Sequence, residues 1–412
     1  MKKRISIGTL IATCLIVAIL TFQITFVVTV GTIGDKYREG AVIREDSNEF
    51  IDKVVEKLAP LDENYRKMYI GELDDDALVD YILKGYVVGT GDPYGAYYND
   101  EELEAFMADL SGETEGIGVS VIYNADMGCI EIINVVPDSP ALEAGLQPGD
   151  LIAFATEEKI PVVELGYEGA VARLRGPAGT EAVFYAYKGG DTTKLTEFRI
   201  TRAKVTGVSV MYHVCDLDET VGIVKISSFD GTTFDQFTEA VETLQNDGCE
   251  KFIFDLRYNP GGELNAVVDV LDYLLPKGPV IRIFDAEDNL VDQMDSDKNC
   301  VDFEMAVLVN GSTASAAELF TSALMDYEKA TVVGETTYGK GCMQTTFPLD
   351  AGGAMKITYR MYKPPFSEGY HEVGLTPDVE VALDESLADK NIYKITDSED
   401  NQLKAALDAL TK

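Results

Sequence analysis

Val309-Asn310-Gly311-Ser312-Thr313-Ala314-Ser315-Ala316-Ala317-Glu318 is followed, after a run of helix formers, by Tyr338-Gly339-Lys340-Gly341-Cys342-Met343-Gln344. Residues 305–309 are an apolar run of strand length, Gly311 and Ser312 turn the chain, and residues 314–325 favour a helix. Ser315 therefore falls where a strand hands over to a helix, beside first-turn amides that lack intrahelical partners. Such amides suit a developing oxyanion, so the place suits a nucleophile. A second strand is expected at 331–334, and Lys340, set between two glycines beyond it, can return to the same end of the sheet. A nucleophilic Ser with a Lys base is one variant of the Ser-His-Asp arrangement.

The chain has two histidines, His213 and His371, and neither lies in a pattern that looks catalytic. His213 follows a strand-like Val-Met-Tyr, and His371 sits in an expected loop after Pro364-Pro365. Lys340 is better placed as a base. Lysine ordinarily titrates near pH 10.4, so burial must bring it towards roughly 7 to 8 before it can take a proton at neutral pH. Flanking glycines and the absence of a nearby acid in sequence do not oppose that shift. Gln344, four residues on, is placed to hold the amine by a neutral hydrogen bond that would not favour its charged form.

At these residues the chain resembles the carboxyl-terminal processing proteases, the tail-specific serine peptidases of family S41 with a Ser/Lys catalytic pair. The family's Ser-Ala-Ser-Ala-Ser-Glu pattern stands here as Thr313-Ala314-Ser315-Ala316-Ala317-Glu318, with the outer serines replaced and the nucleophile kept. Gly339-Lys340-Gly341 with Gln344, and a base 25 residues after the nucleophile, also match. A third block, Asp255-Leu256-Arg257-Tyr258-Asn259-Pro260-Gly261-Gly262, resembles the family's glycine loop. Its residues read physically as a buried strand at 251–256, a break, and a helix at 264–275; paired glycines there let the backbone approach a ligand. The resemblance implies catalytic Ser315, Lys340 and Gln344, and an oxyanion hole from Ala316 with Gly261 or Gly262. It implies a crotonase-like α/β core and no metal or organic cofactor.

Met1-Lys2-Lys3-Arg4 precedes an uncharged, mostly apolar run over residues 5–30. About 20 apolar residues cross a bilayer, and no small-residue cleavage site follows, so an uncleaved anchor is expected, its basic end cytoplasmic. A cleaved signal is the alternative. The bulk of the chain would then be extracytoplasmic, at a bacterial-type plasma membrane. There are 71 Asp+Glu against 34 Lys+Arg, a net charge of −37, which disfavours nucleic acid as a partner. Six cysteines, one within the apolar run, form no evident disulfide framework.

Residues 113–121 open a different unit, with strands expected at 130–136 and 150–154, a helix at 162–174, and a hairpin of 182–188 with 197–201. Ser139-Pro140-Ala141, Ala144-Gly145-Leu146 and Pro148-Gly149-Asp150-Leu151-Ile152 resemble a PDZ domain. Gly116-Ile117-Gly118-Val119 matches the loop with which such domains hold a peptide carboxylate. Residues 37–110 read as mostly helical around Asp92-Pro93-Tyr94-Gly95-Ala96-Tyr97-Tyr98, which resembles a family segment and either docks on the core or mediates a homodimer.

The expected organisation is an anchor over 1–34, a helical segment over 35–111, a PDZ β-sandwich over 112–204, the S41 core over 205–384 and a helical tail over 385–412. The implied activity is a membrane-anchored serine endopeptidase that cuts exported polypeptides near free carboxyl termini. The alternatives are a non-catalytic, membrane-anchored PDZ adaptor and, less favoured by the outward location, small-molecule acyl chemistry on the same core.

Overall fold

The computed structural model describes residues 47–410 apart from 126, 298 and 389. The expected anchor over 5–30 lies outside these residues; among those described, no helix is long and apolar enough to cross a membrane. One compact unit ends at Leu78 and a second begins at Val79. The first contains α1 (Ser47–Met68), whose exposed face carries i,i+4 pairs such as Lys67 with Glu63. Each pair contributes about 0.2–0.5 kcal/mol at most. α2 (Asp75–Gly89) runs across the boundary.

In the second unit, β1 (Ala96–Tyr98) leads into α3 (Asp100–Ser111). Asn99 and Glu102 close a capping box on α3, and Gly112 ends it in the left-handed conformation at φ 72°. β2 (Glu113–Gly116) then pairs with β8 (Ala203–Thr206). Between them β3 (Val119–Asn124), β4 (Cys129–Val135), β5 (Leu151–Phe154), β6 (Glu181–Tyr187) and β7 (Leu195–Thr201) form an antiparallel sheet in chain order. With α4 (Pro140–Glu143) and α5 (Val162–Leu174), this sheet encloses its own apolar core around Ile130, Ile132, Ile152, Phe184 and Ile200. The single helix expected over 162–174 is corrected: Gly166 takes φ 71° and ψ 166°, a non-helical conformation, so α5 is kinked there.

The remaining chain builds a six-stranded sheet in the order β18 (Val379–Glu380), β15 (Ala330–Gly334), β14 (Glu304–Val309), β11 (Lys251–Asp255), β10 (Val221–Ile226), β9 (Val210–Val214). All neighbours are parallel except β9, which runs antiparallel to β10. The strands read as continuous apolar runs because both faces are covered. Phe252 and Phe254 of β11 pack against α6 (Thr233–Asn246), α7 (Leu264–Leu274) and α8 (Ala316–Asp326). Ile253, pointing the other way, packs with Leu403 and Ala406 of α9 (Asn401–Leu410). All three strand residues are fully buried, each side chain contributing about 1.5–3 kcal/mol. A second sheet sets β17 (Ala354–Lys363) beside β16 (Cys342–Pro348), β12 (Gly278–Phe284) and β1, with β13 (Leu290–Ser296) outside β12.

Candidate active site

Ser315 lies at the carboxyl end of β14, on the turn that opens α8. Asn310 and Thr313 shape that turn: Asn310 Oδ1 accepts from the amides of Ser312 (3.1 Å) and Tyr258 (3.0 Å), and the Thr313 hydroxyl donates to Leu256 O at 2.8 Å. Thr313 is fully buried, and its hydroxyl ties the Ser315 turn to the glycine loop. Ser315 itself takes φ 55° and ψ −119°. Such a non-glycine conformation costs about 1–3 kcal/mol and persists only where the surroundings impose it. It leaves the half-buried side chain on the cleft wall ahead of the helix.

The glycine loop lies directly against this turn. A Cβ on Gly261, at φ +99°, would come within 2.8 Å of Ala314 O, Ala316 N and Ser315 Cβ, so only glycine permits the approach. The Gly261 amide is already given to Asn259 Oδ1 at 2.8 Å. Among the described residues, the amides of Gly262 and Ala316 donate to no acceptor. Beneath the loop, buried Arg257 makes two bonds to the Asp255 carboxylate (2.9 and 2.8 Å) and others to Asp400 (2.7 Å) and Gln402 (3.0 Å), tying it to α9. Burial opposes the Asp255 charge, but Arg257 and Lys225 outweigh it and hold the carboxyl well below the usual range.

Glu318 joins the Ser315 turn to the Lys340 turn. It is fully buried, and its two oxygens accept from Thr337 Oγ1 (2.5 Å), Gly339 N (2.7 Å), Lys340 N (2.7 Å) and Ser315 N (2.9 Å). One carboxylate thus pins both loops by their backbones. His371 Nδ1 accepts from Gly341 N at 3.2 Å, and Tyr362 donates to Lys340 O at 2.8 Å, completing the hold on the glycine-flanked turn. Burial is the largest influence on the half-buried Lys340 amine and pushes it below its ordinary value.

Gln344 lines the same cleft as Lys340, with its side chain turned towards β17. Its amide nitrogen donates to Thr358 Oγ1 at 3.2 Å and lies 3.3 Å from Cys342 Sγ. Among the described residues no hydrogen bond joins it to Lys340, nor Lys340 to Ser315. Lys340 precedes strand β16, and the register of that strand against β17 shifts between Met343 and Gln344. Neither His213, which pairs with Asp397 at 3.1 Å, nor His371 lines the cleft.

Ser315, Ala316, Lys340, Gln344, Gly261 and Gly262 line one cleft of about 1090 Å³, and Gly116, Ile117, Gly118 and Val119 line it too. Gly118 has φ +85°, and a Cβ there would meet Ser139 Cβ at 2.3 Å; its amide donates to no described acceptor. The arrangement offers a hydroxyl, a desolvated amine, two amides with no acceptor among the described residues, and a second glycine loop, all on one cleft. Glu318 was visible in sequence as the last residue of the nucleophile pattern, though its four-donor role was not. The pairing of Asp92 with Thr358 carried no sequence signal at all.

The family model described as peptidase family S41 matches residues 220–381. The chain is 30% identical over 385 residues to the carboxy-terminal processing protease CtpA of Bacillus subtilis, spanning 93% of this chain and 78% of that protein. It is 31% identical over 322 residues to the carboxyl-terminal-processing protease of a Synechocystis species, spanning 78% and 74%. A putative S41 protease from Bacteroides fragilis shares the fold, with a TM-score of 0.51 at 19% identity over 84% of this chain and 94% of that one.

Proposed function

Because the chain belongs to the carboxyl-terminal processing proteases of peptidase family S41 and is a serine peptidase, we propose that it cleaves exported polypeptides near their carboxyl termini with a Ser315/Lys340 pair. The observation that carries the reading is the single carboxylate of Glu318, which holds the backbones of both residues at one end of one cleft. Neutral Lys340 accepts the Ser315 proton as Oγ attacks the scissile carbonyl. The carbonyl oxygen becomes an oxyanion held by the Gly262 and Ala316 amides. Collapse of this intermediate breaks the C–N bond, and Lys340 returns the proton to the leaving amine. Water, deprotonated by the same amine, then hydrolyses the acyl-enzyme. Gln344 enters this scheme only through a side-chain rotation that frees it from Thr358.

The unit over 113–206 is read as a PDZ-type module that receives the substrate's terminal carboxylate at residues 116–119 and presents the preceding residues along the groove. Residues 5–30 are read as a membrane anchor that leaves the peptidase extracytoplasmic. The test is cleavage of an unstructured protein by the purified full-length chain, its Ser315→Ala variant and its Lys340→Ala variant. Both variants should retain the fold and lose cleavage; cleavage that survives either change refutes the mechanism. Equal cleavage of peptides with free and amidated carboxyl termini would refute the carboxylate-receiving role of the 116–119 loop.

A further inference from the structure

One contact in the cleft belongs to none of the catalytic motifs: the Lys340 amine stands 4.5 Å from the centroid of the Tyr94 ring. Tyr94 comes from the turn between α2 and β1, and that turn is firmly built. Asp92 Oδ1 accepts from the Tyr94 amide at 3.0 Å, and Gly95 N donates to Asp92 O at 3.3 Å around Pro93. The same carboxylate accepts from Thr358 N at 2.8 Å and from the Thr358 hydroxyl at 3.0 Å, fastening the turn to β17. Ala96 then pairs opposite Lys356 on that strand. The aromatic turn therefore docks on the catalytic half of the chain and delivers one ring onto the amine.

We propose that Tyr94 is a positioning residue for the general base, its ring roofing the Lys340 amine so that the side chain stays over the cleft and away from bulk water. The proposal rests on the Ser315/Lys340 reading. The other groups facing the amine are the Cys342 thiol on β16, Lys356 on β17, Asp92 in the Tyr94 turn and Glu318 on α8. Burial is the largest influence and disfavours the ammonium form; Cys342, Asp92 and Glu318 favour it, and Lys356 opposes it. The ring acts in both directions. By excluding water it favours the neutral amine, by up to several pH units for complete burial. Its π face attracts the ammonium, an effect of about one unit. Exclusion is the larger, so deleting the ring and replacing it by an aliphatic group of similar bulk should move the base in opposite directions.

The experiment is kcat/KM against pH on a peptide substrate, from about pH 6 to about pH 10. It compares wild type, Tyr94→Phe, Tyr94→Leu, Tyr94→Ala and Lys340→Ala, with thermal melts to verify folding. Tyr94→Phe keeps the ring and should hold the acid limb within about 0.3 unit. Tyr94→Leu keeps the site dry but loses the π face, and should lower the limb by about 0.5–1 unit. Tyr94→Ala admits water and should raise it by about 1–2 units, so that kcat/KM at neutral pH falls about 10–100-fold and recovers at alkaline pH. Limbs that stay at the wild-type position in both Tyr94→Leu and Tyr94→Ala, or a loss independent of pH, overturn the proposal. If Tyr94→Ala does not fold, the Leu and Phe limbs decide it. A fully active Lys340→Ala would instead overturn the Ser/Lys reading, whereas an inactive one with unmoved Tyr94 limbs removes the role of Tyr94 alone.

Discussion

Replacing Glu318 by Gln changes one atom and should disable the site. The carboxylate is fully buried and faces four donors, two at each oxygen. An amide keeps one acceptor oxygen and turns an NH₂ towards two former donors. If the nitrogen takes the position of Oε1, the Thr337 hydroxyl can rotate to accept from it, since that hydroxyl already accepts from Leu375 N, but Gly339 N is left facing a donor. If the nitrogen takes the other position, the amides of Ser315 and Lys340 both lose their acceptor. The first orientation is the milder. It removes two charge-assisted bonds of about 1.5–3 kcal/mol each, partly offset because a neutral amide is less costly to bury, for a net loss of about 2–4 kcal/mol. Urea unfolding reads that loss directly. Loosening the two loops by as little as about 1 Å is expected to lower kcat about 100-fold. The pH profile adds a sign: the Glu318 charge raises the Lys340 pKa, so the acid limb should move to lower pH even as kcat falls. A Glu318→Gln variant within about 0.5 kcal/mol of wild type and with undiminished kcat would refute the clamp.

Asp255→Asn should destabilise the chain by about 3–5 kcal/mol, because it leaves buried Arg257 and Lys225 short of a counter-charge. The folded-state pKa of Asp255 is depressed, so its contribution is present at neutral pH and fades as pH falls below the unfolded value of about 3.9; unfolding of both proteins across that range checks the convergence. Gly261→Ala must fit a methyl at φ +99° within 2.8 Å of Ala314 O and Ala316 N, and should cost about 100-fold or more in kcat with a smaller change in KM, measured by steady-state kinetics.

Much of the architecture could be read before the structure. The run at 305–309 appears as β14 (Glu304–Val309), and the helix expected at 264–275 as Leu264–Leu274. These succeed because a parallel strand covered on both faces must be apolar throughout, and because the glycine loop leaves few alternatives between strand and helix. The helix at 162–174 was overstated because a glycine within a helical pattern does not declare whether it will bend. For Gln344 the distance of four residues from Lys340 does not fix a hydrogen-bond partner, and in the fold its amide nitrogen donates to Thr358 Oγ1.

By itself the sequence determined the elements and the chemistry they carry: a serine on a strand-to-helix turn, a lysine between glycines, and paired glycines after a buried strand. Those are local facts, governed by backbone sterics and hydrophobic period. Tertiary structure alone decided which partners meet. It gave the Gly261 amide to Asn259 and left the Gly262 amide unpartnered. It collected four donors on Glu318 from the Ser315 and Lys340 turns, and it brought Tyr94 from before β1 onto the amine of Lys340. Such choices depend on how distant segments share a few ångströms of buried space, where each polar group must find a partner, and no pattern along the chain encodes that competition.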